Sequence, residues 1–495
     1  MQKHTYLNRN FFDTQRKKYR AVEEIAIKKQ AVCLKTEDNK LLKIFHSLDD
    51  TKLVMDRLEW LKELGTKDDS LSEAIAMPSA ILTGLKRDEV GYVCEPMNEC
   101  TLDYYINPGK GEKLFRWYYD KTGGIEYRLK IAYSIATQLQ QIHAKGICLV
   151  DICPRNTTLQ FFSTEKPTQP TIQFTGADSI SSYTYYAQTT GVPRYGDPLV
   201  CQHRTSPSSV SDTYSFAVML FEMLTTCHPF YGEDAKLLSD EQFQEMLAKG
   251  TINYIGDEQA NDNKNEIFED TQIFLPEDLS VLFNKMFVAG KMDASIRPTL
   301  DDFKSACIQS MKKVIRCDHA GCEKDYPYNP RHICPFCNRT TNHVILARLK
   351  KTVSASEKML LPHDGIKGFS ALPVMTEEQN FMVIRPGLNK MTRSFFEPSA
   401  KAEKGAVGIL VQYSPEKKRI AIRNRFATLN IEVLGKNLLP YSKSDKGQHS
   451  DIGFSEDTKA TIELPTNAQI EPERIVLVED DGYGIIQHRW SISIG

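Results

Sequence analysis

The stretch His143-Ala-Lys-Gly-Ile-Cys-Leu-Val-Asp151-Ile-Cys-Pro-Arg-Asn156 decides the fold of this chain. Before it, residues 125–142 carry apolar side chains three and four positions apart, which predicts a helix. Gly146 suits the left-handed backbone that ends such a helix. Asp151 and Asn156 follow a short apolar run. A carboxylate can orient a hydroxyl nucleophile and an amide oxygen can hold a metal ion, so this pair suits phosphoryl transfer.

Length and charge limit the class of protein. A chain of 495 residues is too long for one core, and we expect two or three domains. The net charge of −2 predicts no general polyanion-binding surface, so nucleic acid is not an expected partner. The apolar runs are shorter than the ~20 residues of a membrane span, and the N-terminus lacks an apolar signal core. We therefore expect a cytoplasmic protein that does not enter the membrane.

Further motifs flank the central stretch in a fixed order. They are an apolar strand pattern that ends near Lys43, a helical pattern over 50–64, Gly91–Met97, Gly176–Ser179, Gly191–Pro198, Ser211–Leu224 and Ser295–Phe303. The central stretch resembles the catalytic loop of protein kinases, H-R-D-x-x-x-x-N, and the flanking motifs resemble other kinase landmarks in the kinase order. The chain is identified as a degenerate member of the bacterial eukaryotic-like serine/threonine protein kinase family.

The resemblance implies a nucleotide site between two lobes. Lys43 would bind the phosphates of ATP, and Glu59 on the helix over 50–64 would pair with Lys43, with Glu63 as the alternative. Glu95 and Met97 would lie in the hinge strand, whose backbone would hold the adenine. ATP with Mg²⁺ is the implied cofactor, and a protein substrate or signalling partner is the implied acceptor.

The same resemblance implies a catalytic set of Asp151, Lys43 and Asn156. Asp151 would orient the acceptor hydroxyl and Asn156 would hold the metal ion. The kinase Asp that binds magnesium is replaced by Gly176. Asp178 lies two positions further on, and either caps a turn or substitutes as the metal ligand.

Three departures leave two functions open. Residues 24–30 lack the glycines that let backbone N–H groups approach phosphates, Cys153 replaces the usual lysine, and Gly176 replaces the metal-binding Asp. One hypothesis is a slow serine/threonine kinase that transfers the γ-phosphate to a protein hydroxyl. The other is a pseudokinase that acts as a nucleotide-binding scaffold or adaptor.

A cluster of cysteines follows the kinase-like region. Cys317 and Cys322 are separated by four residues, and Cys334 and Cys337 by two. Two cysteine pairs on tight turns can set four thiolates as a tetrahedron, so a structural Zn²⁺ is predicted at these four residues. Because four thiolates close the metal's coordination shell, the ion would support folding or docking and take no part in chemistry.

The predicted fold class is α+β, with a two-lobed kinase-like fold, a zinc ribbon and a small all-β domain. The predicted boundaries are 1–310 for the kinase-like domain (N-lobe 20–97, C-lobe 98–310), 311–345 for the ribbon, 346–404 for a linker and 405–495 for the β-rich domain. The last region shows strand patterns separated by polar turns. We find no catalytic constellation in it, so interaction or recognition is the expected role.

Overall fold

The chain forms two compact units, Met1–Cys307 and Ile308–Gly495. The computed structural model of the protein describes residues 6–27, 31–96, 100–159, 169–182, 191–259, 263–341, 344–355, 375–392, 395, 407–414, 416, 419–424, 430–434, 438–439, 452–454, 459–463, 473–480 and 486–494. Among the helices of these residues, none combines the length and the apolar character needed to cross a membrane.

The first unit contains a strand-rich part followed by a helical part. Its strands are β1 (Asn10–Asp13), β2 (Lys18–Ile27), β3 (Ala31–Thr36), β4 (Leu41–Phe45), β5 (Ala80–Thr83), β6 (Val90–Cys94), β7 (Cys100–Thr101), β8 (Ile147–Cys148), β9 (Thr157–Leu159), β10 (Ile172–Phe174) and β11 (Ser181–Ser182). Its α-helices are α1 (Thr51–Lys67), α2 (Asp69–Ala74), α3 (Leu114–Arg116), α4 (Gly124–His143), α5 (Pro198–Cys201), α6 (Ser209–Thr225), α7 (Glu233–Lys236), α8 (Asp240–Lys249), α9 (Glu266–Thr271), α10 (Glu277–Phe287) and α11 (Leu300–Lys312), the last of which runs past Cys307. Short 3-10 helices cover Leu102–Tyr105, Pro154–Asn156, Ala177–Ser179, Gln272–Phe274, Ala289–Lys291 and Ala294–Ile296, and a π-helix covers Trp117–Lys121.

Six strands close into a barrel in the order β1-β2-β3-β4-β6-β5. The side chains of β4 alternate between the two faces of the strand, and this explains the position of Lys43. Leu42 and Ile44 are buried in the barrel core, so Lys43, between them, lies on the opposite face. On the neighbouring strands Cys33 and Tyr92 pair directly with Lys43, and their side chains share its face.

Helix α1 begins where the sequence predicts and ends later. Asp50 caps it by accepting a hydrogen bond from the Leu53 N–H at 3.0 Å. The pattern over 50–64 predicts that Gly65 caps the helix, and this is wrong, because α1 continues to Lys67 and Gly65 is buried within it. A Cβ at Gly65 would lie 2.8 Å from Cβ of Met77. The glycine therefore serves close packing and does not stop the helix.

The helical part confirms the predicted α4 and α6. Every residue of α6 from Ser211 to Thr225 is buried, so this helix forms the centre of the helical part. Gly146 follows the end of α4 with a φ of 72°, the left-handed conformation expected there. Strand-like runs at 157–162 and 171–175 predict a hairpin, and β9 and β10 are indeed antiparallel, with Ile172 opposite Leu159.

After the end of α11, the described residues of the second unit form one short pair of strands and two larger sheets. The strands are β12 (Val314–Arg316), β13 (Asp325–Pro327), β14 (Ile345–Ala355), β15 (Met375–Ile384), β16 (Gly387–Thr392), β17 (Val407–Ser414), β18 (Arg419–Asn424), β19 (Asn430–Leu434), β20 (Leu438–Leu439), β21 (Ile452–Phe454), β22 (Lys459–Glu463), β23 (Glu473–Asp480) and β24 (Ile486–Ile494). Among the described residues, one sheet has the order β15-β14-β24-β23-β19-β21 and the other β16-β17-β18-β22-β20.

The structure corrects the predicted linker over 346–404. Within that range β14, β15 and β16 belong to the same two sheets as the strands of the predicted β-rich domain. β14 pairs with the last strand of the chain, with Ala347 opposite Ile494 and Ala355 opposite Ile486. The β-rich region therefore begins near residue 345. Its two ends meet in one sheet.

Candidate active site

Lys43 and Asp178 form the centre of the site. Nζ of Lys43 lies 2.6 Å from Oδ1 of Asp178, and the two side chains are 14% and 22% exposed. Burial lowers the pKa of Lys43, but the Asp178 carboxylate and, more weakly, Asp151 outweigh it and raise that pKa above its usual value. Lys43 is therefore a charged ammonium at neutral pH. The charge of Asp151 acts weakly on Lys43, so the two side chains lie within electrostatic reach of each other.

Asp151 and Asn156 are held together by the loop that contains them. The Asn156 amide donates to Oδ2 of Asp151 at 2.8 Å and to its carbonyl oxygen at 3.0 Å. Because the amide nitrogen is engaged there, the amide oxygen faces away from Asp151, towards the Thr175 hydroxyl at 3.4 Å. The other carboxylate oxygen of Asp151 accepts from the Val192 N–H at 3.3 Å.

Asp212 supports this loop, in the structural role that the kinase resemblance of Ser211–Leu224 implies for it. It is buried on α6 and accepts hydrogen bonds from the backbone N–H groups of Leu149 at 2.8 Å and Val150 at 3.0 Å. His143 at the end of α4 also contacts it, with Nε2 2.9 Å from Oδ2. Val150 has a φ of 67°, which is rare for a β-branched residue. These bonds hold the strained backbone immediately before Asp151.

The kinase resemblance implied that Glu59 pairs with Lys43, and the structure corrects this. Glu59 and the alternative, Glu63, are both exposed on α1, and Glu63 pairs with Lys67 at 2.6 Å. The residue of α1 that contacts the site is Arg57, whose Nε donates to the Asp178 carbonyl oxygen at 3.0 Å. The physical reason is helix geometry: Glu59 lies about 200° around the helix from Arg57.

The hinge residues are only partly described. Glu95 is exposed and pairs with Lys40, and Met97 lies outside the described residues. Residues 28–30, between β2 and β3, where a glycine-rich loop is expected, are also outside them. The thiol of Cys94, the last residue of β6, is buried, and burial raises its pKa to about 12.

Gly176 has the left-handed backbone that a glycine permits, with a φ of 83°. A Cβ at this position would lie 3.4 Å from Nδ2 of Asn156, an ordinary contact distance. The segment after it, Ala177–Ser179, is a 3-10 helix. The two-residue alternation of a strand, which would put Asp178 on the same face as residue 176, therefore does not apply to this segment. Asp178 reaches the crevice through this helical turn.

Arg297 has a partner that the sequence did not identify. The kinase resemblance leaves it without one, because Leu199 stands where a glutamate is expected. In the structure Asp197, two residues earlier, accepts from Nη1 of Arg297 at 2.5 Å and from Nη2 at 2.9 Å. The side chains are 1% and 3% exposed, so this is a buried two-bond ion pair.

Asp197→Ala is expected to lower the free energy of unfolding by about 3–5 kcal/mol, because it leaves the buried guanidinium of Arg297 without its counter-charge. The double variant Asp197→Ala, Arg297→Met should lose less than the sum of the two single variants. Urea unfolding of the whole chain measures this. Glu63→Ala, which breaks an exposed pair, is the control and should change stability little. Equal losses in Asp197→Ala and Glu63→Ala would contradict the expectation.

The four clustered cysteines form a second candidate site, in the second unit. The sulfur atoms of Cys317, Cys322, Cys334 and Cys337 all lie within 4.8 Å of one another. Sγ of Cys317 is 3.7 Å from that of Cys337, and Sγ of Cys322 is 3.6 Å from that of Cys334. Zinc–sulfur bonds of about 2.3 Å in a tetrahedron place sulfurs about 3.8 Å apart. The donor set therefore fits a Zn²⁺ ion, as the spacing predicted.

Comparison with known proteins supports part of the sequence interpretation. Residues 85–313 match the model of the protein kinase domain. This match supports a protein-kinase-like family. The kinase-like region so defined contains Asp151, Asn156 and Asp178 but begins after β5, so Lys43 and α1 lie outside it.

Structural comparison gives a distant match. The autoinhibited serine kinase domain of the giant muscle protein titin is 14% identical, with a TM-score of 0.41, and the match covers 62% of this chain and 84% of that one. No curated protein matches the chain.

Proposed function

We propose that the chain is a slow serine/threonine protein kinase that binds ATP with Mg²⁺ in the crevice between the barrel and the helical part. The supporting observation is the convergence of Lys43, Asp151, Asn156 and Asp178. They come from β4, the central loop and the segment after β10. The proposed domain limits are 1–310 for the kinase-like domain and 311–345 for a zinc ribbon.

The donor set suits magnesium and phosphate. The Asp178 carboxylate and the Asn156 amide oxygen are ligands of the kind that Mg²⁺ prefers, and the Lys43 ammonium is a phosphate partner. When bound, magnesium would neutralise charge on the phosphates. Asp151 would accept the proton of the acceptor hydroxyl. With nucleotide bound, Lys43 would pair with a phosphate oxygen, and Asp178 and Asn156 would hold the metal.

The second candidate is a pseudokinase that binds nucleotide without transferring phosphate. One observation favours it. Within α1, all of whose residues are described, the carboxylates of Asp56, Glu59 and Glu63 are exposed. Kinase catalysis needs a Lys–Glu pair from this helix, and Asp178 occupies Lys43 in its place. The ribbon and the β-rich domain would then provide the surfaces that bind partners.

Asp178→Ala separates these functions. We expect it to lower autophosphorylation with labelled ATP about 100-fold, because it removes the charge that holds the metal. Tyr92→Phe is a matched control, since it removes only the hydroxyl that donates to Asp178 at 3.2 Å, and its rate should fall at most about threefold. Stabilisation of the wild type by ATP without transfer would favour the pseudokinase. If the wild type shows no ATP binding and no phosphate transfer, both candidates are contradicted.

A further inference from the structure

We infer that Arg57 is a positioning residue of the nucleotide site, fixing the segment that holds Asp178. This inference rests on the proposed function in one respect, namely that Asp178 meets the magnesium of a bound nucleotide.

Arg57 lies on the face of α1 that is turned towards the site. Trp60, Leu61 and Leu64 follow Arg57 at intervals of three, four and seven residues, which is one face of a helix. Leu61 is fully buried, and Arg57, Trp60 and Leu64 are half-buried. Of these four side chains, only Arg57 is charged. The charge presented by α1 at the site is therefore positive.

The contacts of Arg57 are directed at the backbone around Asp178. Its Nε donates to the carbonyl oxygen of Asp178 at 3.0 Å, and its Nη2 donates to the carbonyl oxygen of Ile180. These carbonyls lie on either side of Ser179, at the end of the 3-10 helix. A guanidinium holds its donors in one rigid plane, so two bonds to one segment fix both its position and its orientation.

This fixation determines where the Asp178 carboxylate points. Its Oδ1 accepts hydrogen bonds from Nζ of Lys43 at 2.6 Å and from the Tyr92 hydroxyl at 3.2 Å, and both donors belong to the barrel. The backbone of the same residue is bound by Arg57 from α1. Asp178 is thus held through its side chain by the barrel and through its main chain by α1. In kinases a glutamate of this helix acts on the lysine directly, whereas Arg57 acts through Asp178.

The test compares Arg57→Gln with Lys62→Gln in the full chain. Lys62 lies on the same helix, about 140° around from Arg57, so both variants lose one positive charge from α1. The first readout is amide hydrogen exchange over residues 176–182 without nucleotide. We expect exchange to rise about tenfold in Arg57→Gln, because two charge-assisted bonds to this segment are lost, and to stay unchanged in Lys62→Gln.

The second readout is the Mg²⁺ concentration that gives half of the thermal stabilisation by ATP. We expect it to rise about three- to tenfold in Arg57→Gln, since Asp178 is no longer aimed, and to recover only partly in Arg57→Lys, which lacks the planar pair of donors. Unchanged exchange in Arg57→Gln would overturn the inference. Increased exchange with an unchanged Mg²⁺ midpoint would overturn it too, because the arginine would then be a structural tie only.

The two readouts separate this inference from the proposed function. If ATP with Mg²⁺ does not stabilise the wild type, the proposed function fails. Increased exchange in Arg57→Gln would in that case still support the fixation of the Asp178 segment by Arg57.

Discussion

Asp151→Asn is expected to lower the rate of phosphoryl transfer at least about 100-fold while leaving ATP binding within about twofold of the wild type. Asparagine has nearly the same shape as aspartate, and its side-chain oxygen can still accept from the Asn156 amide, which lies 2.8 Å away. It cannot accept the proton of an attacking hydroxyl. The substitution therefore removes proton acceptance and keeps the loop in place.

Single-turnover transfer from labelled ATP measures the chemical step, and thermal stabilisation by ATP with Mg²⁺ measures binding. Asp234→Asn is the matched control, because Asp234 is exposed on α7 and belongs to no part of the proposed site. Transfer at the wild-type rate in Asp151→Asn would exclude Asp151 as the proton acceptor. If Asp151→Asn loses both ATP binding and transfer, the substitution disturbs the loop, and the stabilisation assay shows this directly.

Those parts of the fold that depend on local patterns were predictable. The helical stripe over 125–142 predicted α4, and the apolar runs around Lys43 predicted β3 and β4. The buried role of Asp212 followed from the kinase-like motif on α6 and is confirmed by its bonds to two backbone N–H groups. In each case the signal lies within a few turns of one element, where periodicity and motif spacing are informative.

The parts that depend on packing direction were not predictable. The choice of Glu59 as the partner of Lys43 depended on which face of α1 meets the barrel. The apolar stripe of Leu58 and Leu61 is compatible with several rotations of the helix about its axis. The position of Arg57 next to this stripe was the available signal, although a cation was not expected there. The partner of Arg297 was missed because the kinase motif has the partner glutamate at position 199, which is a leucine in this chain. The actual partner, Asp197, lies two residues earlier, beside Pro198.

Long-range strand pairing explains the incorrect linker. Lys350 and Lys351 made the segment look like a polar connection, yet β14 pairs with β24 at the far end of the chain. Pairing between strands more than 100 residues apart leaves no local period that would distinguish a central strand from a polar connection. The sequence could therefore predict a β-rich C-terminal region but not where it begins.

Removing the predicted zinc ion is expected to unfold the ribbon around β12 and β13. Free energies of about 10–16 kcal/mol hold Zn²⁺ in small structural sites, and a short pair of strands has little other stabilisation. All twelve cysteines lie in described residues, and none forms a disulfide. Four thiol groups within 4.8 Å of one another are compatible with a metal ion bound between them.

Cys334→Ser should lower zinc affinity about 100-fold or more, because a hydroxyl is a poor substitute for a thiolate ligand. Metal analysis of the purified chain should find one zinc per wild-type molecule and much less in the variant. Cys201→Ser, which changes a half-buried cysteine on α5 outside the cluster, should keep its zinc. A chelator should expose the four thiols to a thiol reagent together, since each thiolate depends on the same ion. Full zinc content in Cys334→Ser would contradict the four-thiolate site, and wild-type protein without metal would exclude it.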